Sequence, residues 1–227
     1  MKIPFWKRWL SYLTEIHIES APSPHNPHLY VSLRRGRFQL STANAIYSYE
    51  DLYDNFSGAF EQLHLDRLPG KEILILGFGL GSIPIILEKM GYHHHYTAVE
   101  VDESVVDLAT RYAMPRIDSP VQMICADALA FVQQCQSHFD LIAVDLFLDD
   151  LIPAPFESQT FLERTKELLN PGGVLLYNRL AFTPQDKEEA RKFLEGPFRT
   201  VFPEGIHLDI NGNWMLLNHG AYHKDAG

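Results

Sequence analysis

Four polar features follow predicted buried strands, and their types and spacing could hold a nucleoside. They are a glycine-rich turn at residues 77–81, Glu100, Asp127 and Asp145. Glu100 lies about twenty residues beyond the turn, where nucleotide-binding α/β folds place an acid that holds the ribose. One carboxylate can accept hydrogen bonds from both vicinal hydroxyls of a ribose. The convergence of these groups predicts a nucleoside site, although Glu100 could instead only cap the next helix.

The glycine-rich turn joins a predicted strand to a predicted helix. The run Ile73–Leu76 is short and continuously apolar, which indicates a strand buried on both faces. Residues 82–90 carry apolar side chains at helical spacing. Glycines permit positive φ and let the backbone approach a ligand without a Cβ in the way. Strand, turn and helix together predict a cofactor cradle.

Strands and helices alternate from about residue 68 to residue 180. Helical segments separate the later predicted strands, Thr97–Val101, Val121–Cys125, Phe139–Val144 and Val174–Tyr177. This alternation predicts an α/β fold with a doubly wound, mostly parallel sheet, whose ligands bind at the carboxyl ends of the strands. Two more strands are predicted near the end of the chain, at Phe198–Phe202 and Trp214–Asn218.

The first 48 residues are predicted to form an appendage that contains an N-terminal helix and a β-hairpin. The segment 14–47 holds alternating apolar and polar residues around a turn at residues 34–37. Residues 49–227 then form the main domain, whose first helix is predicted within 49–65. Tyr47 and Tyr49 lie where the appendage meets the domain, and such a junction is a common place for a substrate pocket.

Composition and charge limit the classes of function. The 227 residues carry 19 Lys and Arg against 29 Asp and Glu, a net charge of −10, which argues against nucleic-acid binding. No apolar run reaches membrane-spanning length, so no membrane partner is expected. Cys125 and Cys135 lack the spacing of a metal site or disulfide framework and fit a reducing cytoplasm. The run His93–His95 is interpreted as a polar loop, so no metal is expected.

The N-terminal segment 1–13 has the composition of an amphipathic helix. It combines basic residues with five large apolar ones, Phe5, Trp6, Trp9, Leu10 and Leu13. We expect this helix to pack on its own domain or on a neighbouring subunit rather than to dock on a membrane. Together with the hairpin appendage, it predicts a homodimer.

Five motifs in chain order resemble those of the class I S-adenosylmethionine-dependent methyltransferases. They are Gly77-x-Gly-x-Gly81, Val99-Glu-Val-Asp102, Ala126-Asp-Ala128, Phe139-Asp-Leu-Ile-Ala-Val-Asp145 and Leu169-Asn-Pro-Gly-Gly-Val-Leu175. More narrowly, residues 14–180 resemble the spermidine synthase family, the polyamine aminopropyltransferases built on that fold. The resemblance implies a seven-stranded Rossmann-like sheet. It also implies S-adenosylmethionine or its decarboxylated form as cofactor, with S-adenosylhomocysteine or methylthioadenosine as the product.

The resemblance also assigns roles to single residues. Glu100 would bind the ribose hydroxyls, and Asp127 would accept from the adenine amino group. Asp145 would help to deprotonate the attacking acceptor, which makes it the candidate catalytic base. The complete set of implied cofactor-binding residues is Gly77, Phe78, Gly79, Gly81, Glu100, Val101, Asp127, Ala128 and Asp145.

The sequence departs from the family pattern on the acceptor side. Leu80 stands where the family carries an acid that holds the aminopropyl ammonium. Leu148 stands where the family has a second aspartate after its catalytic one, and the next acids come one and two places late. Polyamine binding needs several carboxylates facing one dication. The candidate acceptor residues, from an approximate match to the family's acceptor motif and from this loop, are Tyr47, Tyr49, Glu50 and Asp149.

Three functions remain open from the sequence. The first is an enzyme that moves a methyl or aminopropyl group from such a cofactor to a small acceptor, such as an amine, with the polyamine-binding acids partly lost. The second is a catalytically silent homologue that binds the cofactor, or none, and serves a structural or regulatory partner. The third, a dinucleotide-dependent dehydrogenase, is disfavoured because the glycines lack the two-residue gap before the last one.

Overall fold

Two β-sheets form the framework of the protein. The structure is a computed structural model that describes residues 4–26, 28–42, 45–148 and 151–224. A small antiparallel sheet holds four strands in sequence order, β1 (Ile16–Ala21), β2 (Leu29–Arg34), β3 (Arg37–Ser41) and β4 (Ile46–Ser48). The large sheet holds seven strands, β5 (Glu72–Leu76), β6 (His95–Glu100), β7 (Val121–Cys125), β8 (Phe139–Val144), β9 (Leu169–Leu180), β10 (Ile206–Ile210) and β11 (Asn213–Leu217).

The large sheet confirms the predicted α/β class. Its spatial order is β10-β11-β9-β8-β5-β6-β7, with parallel pairing from β9 to β7 and antiparallel pairing at β10 and β11. The order reverses at β5, which pairs with β6 on one side and β8 on the other. A crevice opens at the carboxyl ends of the strands where such a sheet reverses its order, so the fold itself locates the site.

Helices cover both faces of this sheet. They are α2 (Asp54–Glu61), α3 (Ser82–Lys89), α4 (Glu103–Tyr112), α5 (Ala128–Gln134), α6 (Gln159–Glu167), α7 (Pro184–Phe193) and α8 (Arg199–Val201), whereas α1 (Phe5–Leu10) buries no side chain. Successive side chains of β5 alternate between two hydrophobic cores. Ile73 and Ile75 lie in the first core, and Leu74 and Leu76 lie in the second core. All four side chains are fully buried. A strand buried on both faces must read as a continuous apolar run, which is why the sequence identified β5.

The predicted strand at Phe198–Phe202 is wrong. The chain there is helical: Leu194–Phe198 follows α7, with a kink at Gly196, and leads into α8. The backbone amide of Phe202 donates to the carbonyl of Phe198 at 2.8 Å, and their ring centroids lie 5.1 Å apart. Aromatic residues four apart lie on one helical face, and both side chains are buried in the second core. The edge strand is β10 instead, whereas the strand predicted at Trp214–Asn218 is confirmed as β11.

The helix predicted within 49–65 is interrupted. A 3₁₀ turn spans Glu50–Leu52, α2 begins only at Asp54, and Tyr53 between them has non-helical dihedrals, with φ −81° and ψ 87°. A further 3₁₀ turn follows at Leu65–Arg67. The break turns Tyr53 out of the helical face that holds the buried Phe56 and Phe60.

The predicted N-terminal helix forms as α1. None of its side chains is buried, and Phe5 and Trp6 are 82% and 61% exposed. Packing against a second subunit, and with it the homodimer, stays a prediction. Within the described ranges, no helix has the length and apolar character needed to cross a bilayer.

Ion pairs fasten the small sheet to the main domain. Arg37 on β3 donates through Nε to Oδ1 of Asp51 at 2.6 Å, and Lys89 at the end of α3 donates to Oδ2 of the same carboxylate. Burial would raise the pKa of Asp51, but the hydrogen bonds from Arg37 and Lys89 outweigh it and lower that pKa to about 2. The carboxylate therefore stays ionised and joins β3 to α3.

We expect Asp51→Asn to lower the free energy of unfolding by about 1–2 kcal/mol at pH 7, because two charged donors lose their partner. The folded pKa of Asp51 lies below the usual 3.8, so its contribution is complete above about pH 4 and is lost as the pH falls toward 2. Urea unfolding of both proteins between pH 2 and pH 7 measures this. A difference that stays constant down to pH 2 would contradict the assignment.

Candidate cofactor and acceptor site

A cavity of about 790 Å³ opens at the carboxyl ends of the central strands. One part, here called the cofactor half, is lined by residues from the segments 77–79, 99–102 and 126–129. The other part, the acceptor half, is lined by residues from 25–26, 45–47, 53–55, 145–148, 153–156, 178–182 and 213. The acceptor half thus draws on the appendage as well as on the large sheet.

The glycine turn needs its glycines for two separate reasons. Gly77 has φ +88°, and a Cβ there would lie 2.2 Å from the carbonyl oxygen of Asp145, a backbone atom that cannot swing away. Gly79 has φ +54°, and a Cβ there would meet Ser48 and the carbonyl of Tyr47 at 3.1 and 3.2 Å. The turn is therefore pressed between the end of β8 and the appendage, which fixes the floor of the cofactor half.

Gly77→Ala should be far more damaging than Gly91→Ala, although both glycines have φ +88°. A Cβ on Gly91 would meet no atom within 4 Å, so alanine there adds only the cost of a positive φ, about 1–2 kcal/mol. Alanine at position 77 adds the clash with the Asp145 backbone, for a total loss of about 3 kcal/mol or more. Urea unfolding of the two variants measures the difference, and equal losses would show that the close approach is absent.

Glu100 is held with its carboxylate facing the cofactor half. Its Oε2 accepts from the backbone amides of Phe78 and Gly79 at 3.2 and 3.3 Å, and its Oε1 accepts from the amide of Asp102 at 3.2 Å. Burial raises the pKa of Glu100, while the three backbone hydrogen bonds lower it in part. Each carboxylate oxygen can accept more than one hydrogen bond, so the group keeps acceptor capacity for a ligand diol. The alternative that Glu100 only caps α4 is wrong, because Asp102 is the cap and accepts from the amide of Ser104 at 2.9 Å.

Asp127 begins α5 at the far end of the cofactor half. Its Oδ1 accepts from the amide of Ala130 at 2.9 Å, which is an N-cap hydrogen bond. The side chain is exposed and lines the cavity beside Val101 and Ala128. The cap engages Oδ1 and fixes the orientation of the carboxylate, which leaves Oδ2 available to an amino group.

Asp145 lies where β8 ends, at the boundary of the two halves. Its backbone amide donates to the carbonyl of Leu76 at 2.8 Å, and its Oδ1 accepts from Nδ2 of Asn178 on β9 at 2.8 Å. Burial raises the pKa of Asp145 to about 7; hydrogen bonds from Asn178 and Tyr53 oppose the rise, and the charge of Glu100 adds to it. A carboxyl group with a pKa near neutrality can take up and release a proton at physiological pH, which suits a general base.

Tyr53 is one of the site residues that sequence reasoning missed, together with Asn178, His25 and Asn26. Its hydroxyl is hydrogen-bonded to the Asp145 carboxylate, and burial raises the pKa of the phenol well above its usual range. The hydroxyl therefore stays protonated and orients the carboxylate. The sequence shows Tyr53 only as one aromatic in a helical pattern with Phe56 and Phe60, and the break that turns it into the cavity leaves no separate signal.

A short hydrogen-bonded chain joins the appendage to Asp102 in the cofactor half. The hydroxyl of Tyr47 donates to Oδ1 of Asn26 at 2.6 Å, and Nδ2 of Asn26 donates to Oδ2 of Asp102 at 3.3 Å. Ser23 donates to the same Asp102 oxygen. His25 and Asn26 line the cavity, although the sequence indicated only a turn at these positions.

The predicted site residues divide into those at the cavity and those away from it. The cavity is lined by Tyr47, Gly77, Gly79, Glu100, Val101, Asp127, Ala128 and Asp145. Phe78 and Gly81 support the turn from the first core, where the Phe78 ring would meet a Cβ on Gly81. Tyr49 and Glu50 lie outside the cavity: the hydroxyl of Tyr49 donates to the carbonyl of Arg34, and Glu50 accepts from the Phe38 amide and from Arg116. Asp149 lies outside the described residues.

The cofactor half fits a nucleoside. It offers a floor without side chains at Gly77 and Gly79, a carboxylate placed for a diol at Glu100, and a carboxylate placed for an amino group at Asp127. The parallel sheet with its antiparallel edge and this set of groups define a methyltransferase-like fold of the S-adenosylmethionine-dependent class.

Comparison with known proteins narrows the class to a family. The family model described as "Spermine/spermidine synthase domain" matches residues 62–205, more than half of the chain. The chain belongs to this spermine/spermidine synthase domain family.

Named relatives include both aminopropyltransferases and methyltransferases. A polyamine aminopropyltransferase of Vibrio vulnificus is 30% identical over 155 residues, covering 65% of this chain and 50% of the relative. An eEF1A lysine and N-terminal methyltransferase homolog of Drosophila pseudoobscura pseudoobscura is 29% identical over 161 residues, covering 67% of this chain and 24% of the relative. The matches thus span about a quarter to a half of the length of these two relatives.

A solved structure of the methyltransferase branch shares the fold. Human methyltransferase-like protein 13 in complex with SAH superposes with a TM-score of 0.58 at 23% identity, covering 75% of this chain and 81% of that one. At this identity the comparison establishes the fold alone, and the site has to be argued from the residues of this chain.

Proposed function

We propose that this protein is a transferase that binds S-adenosylmethionine and moves its methyl group to a small acceptor, with Asp145 as the general base. When bound, the cofactor would supply its methyl group as an electrophilic carbon on a sulfonium. Transfer would break the carbon–sulfur bond as the bond to the acceptor forms, and it would leave a neutral thioether. Glu100 and Asp127 would hold the nucleoside. The raised pKa of Asp145 lets its carboxylate take the proton that the acceptor loses.

The position of Leu80 is the observation that favours methyl transfer over aminopropyl transfer. Its side chain is 1% exposed and belongs to the first core, so the glycine turn presents no carboxylate at the point where the family resemblance expects one. An aminopropyl group ends in an ammonium, and burying it without a charged partner is costly. A methyl group has no such requirement.

Aminopropyl transfer from the decarboxylated cofactor is the second candidate, supported by the family and by the Vibrio relative. The two reactions leave different products, S-adenosylhomocysteine after methyl transfer and methylthioadenosine after aminopropyl transfer. We would incubate the protein with each cofactor and a mixture of small amines and alcohols, and measure both products by mass spectrometry. S-adenosylhomocysteine formed by wild type and not by Asp145→Asn is expected.

Other outcomes of this experiment point elsewhere. Methylthioadenosine from the decarboxylated cofactor would replace the first candidate by the second. Neither product, together with binding of cofactor, would favour the catalytically silent homologue.

A further inference from the structure

The described part of the acceptor half is lined mainly by apolar side chains, together with amides, the hydroxyls of Tyr47 and Tyr53 and the ring of His25, around one carboxyl group. From this lining we infer that the acceptor is a small molecule with an apolar body, such as an aromatic or alkyl monoamine, and not a polycation. We further infer that Leu180 and Phe182 are residues that select it. The inference rests on the proposed function, because it places the acceptor beside Asp145 in the same cavity.

The apolar wall comes from two neighbouring parts of the chain. The loop after β8 contributes Leu146, Phe147, Leu148 and, further on, Phe156. The end of β9 contributes Leu180, with Phe182 directly after the strand. Both parts lie close to Asp145, since Asp145 directly follows β8 and Asn178 on β9 donates to it.

The described part of the acceptor half carries only one carboxyl group. The other acids at the cavity, Glu100, Asp102 and Asp127, belong to the cofactor half, and each accepts backbone hydrogen bonds there. A diamine dication needs at least two facing carboxylates to replace the water it gives up. The pKa of Asp145 is about 7, so its carboxylate can accept the proton of one nucleophile. No second carboxylate of the described acceptor half is available to pair with another ammonium.

Two neutral amides lie beside Asp145 in addition to the Tyr53 hydroxyl. Asn178 donates through Nδ2 to Asp145 and accepts through Oδ1 from Nδ2 of Asn213, both at 2.8 Å. Asn213 is paired across the strands with Leu180. The two amides are thus hydrogen-bonded to Asp145 and to each other. They orient Asp145 and are not available to stabilise a second ammonium group.

Phe182 lines the cavity and leaves most of its apolar ring exposed to solvent. It is 79% exposed, and Leu148 in the loop after β8, which also lines the cavity, is 42% exposed. Gly212 lies beneath the Phe182 ring, and a Cβ there would come within 2.8 Å of Cδ2, so the ring is supported from one side. Covering an exposed ring with an apolar acceptor removes area from water and favours binding.

The test is a pair of calorimetric titrations in the presence of saturating S-adenosylhomocysteine. Phenethylamine is expected to bind at least about tenfold more tightly than 1,4-diaminobutane, because only the former covers the apolar walls. Phe182→Ala and Leu180→Asn are expected to weaken phenethylamine by about fivefold or more and to leave the affinity for S-adenosylhomocysteine unchanged. Phe5→Ala is the matched control, since Phe5 is 82% exposed and lies on α1, away from the cavity lining.

The outcomes separate this inference from the proposed function. Binding of S-adenosylhomocysteine with equal or tighter binding of the diamine would overturn the apolar acceptor. So would binding of S-adenosylhomocysteine without measurable binding of phenethylamine. If S-adenosylhomocysteine itself does not bind, the proposed function fails first, and the inference fails with it. An unchanged phenethylamine affinity in Phe182→Ala and Leu180→Asn would remove these residues from acceptor selection.

Discussion

Asp145→Asn is expected to reduce the rate of transfer by about 10²–10⁴-fold, because the variant loses the only carboxyl group of the described acceptor half. Asparagine has nearly the same shape and can still meet Asn178 and Tyr53, so the cavity should persist. The affinity for S-adenosylhomocysteine, measured by calorimetry, should change little. The contrast between lost turnover and kept affinity is what identifies a base.

The matched control for this substitution is Asp140→Asn on the same strand. Asp140 is 4% exposed near the opposite end of β8, where it accepts from the Glu72 amide at 2.8 Å and from Asn170 at 2.9 Å. Its replacement should cost stability and leave the rate per folded molecule unchanged. Equal losses of rate in the two variants would remove Asp145 from the role of base.

The pH profile of the wild type should follow the same group. Asp145 has a pKa of about 7, so the rate should rise with pH to a plateau above pH 7 as the carboxylate becomes available. The residual rate of Asp145→Asn should lack this step. A wild-type rate that is already constant from pH 5 upward would contradict the raised pKa.

The contribution of Asp145 to the free energy of unfolding should fall as the pH rises, whereas the rate should rise. The folded pKa, about 7, is higher than the usual 3.8, so the native protein holds a proton that the unfolded chain releases between these values. The contribution of Asp145 is therefore most favourable below about pH 4 and falls as the pH rises through 7, by at most about 4 kcal/mol. Asp145 is only partly buried, so solvent screening reduces this figure. Compared with wild type, Asp145→Asn should be relatively more stable at pH 8 than at pH 5, which thermal unfolding at the two values measures.

Glu100→Ala is expected to weaken nucleoside binding by roughly 100-fold, because two hydrogen bonds from ribose to a charged acceptor are lost at once. The substitution also frees the amides of Phe78, Gly79 and Asp102, which Glu100 now holds. Glu100→Gln keeps one carbonyl oxygen and should lose less. Calorimetric titration with S-adenosylhomocysteine gives both values.

Glu88→Ala provides the control for this variant. Glu88 also bridges two backbone amides, those of Asp118 and Ser119, at 3.1 and 2.7 Å, and it is not part of the cavity lining. Both alanine variants therefore lose a carboxylate that ties two chain segments together. Only the variant at position 100 should lose affinity, and a similar loss at position 88 would mean that the effect is general destabilisation.

The sequence predicted the cofactor half better than the acceptor half, and the reason is physical. Gly77, Glu100 and Asp127 are placed by strand ends and helix starts, whose positions follow from apolar runs and capping residues. Regular elements repeat their geometry, so spacing along the chain translates into position in space. The large sheet was predictable for the same reason, because strands buried on both faces read as apolar runs.

The acceptor half depends on contacts between distant segments, which spacing does not encode. Tyr53 reaches Asp145 only because the helix breaks before Asp54, and Asn26 reaches Asp102 only because the appendage folds over the cavity. The mistaken strand at Phe198–Phe202 has a related cause. Two aromatics four residues apart fit a helical face, and the packing of that face against the second core decided the outcome.

The central claim is that the cavity is a site for S-adenosylmethionine. The most direct test is a calorimetric titration of the wild-type protein with S-adenosylmethionine, its decarboxylated form and methylthioadenosine. We expect saturable one-to-one binding, with S-adenosylmethionine preferred over the decarboxylated form. No measurable binding of any of the three would show that Gly77, Gly79 and Glu100 do not form a nucleoside-binding site, which would contradict the proposed function.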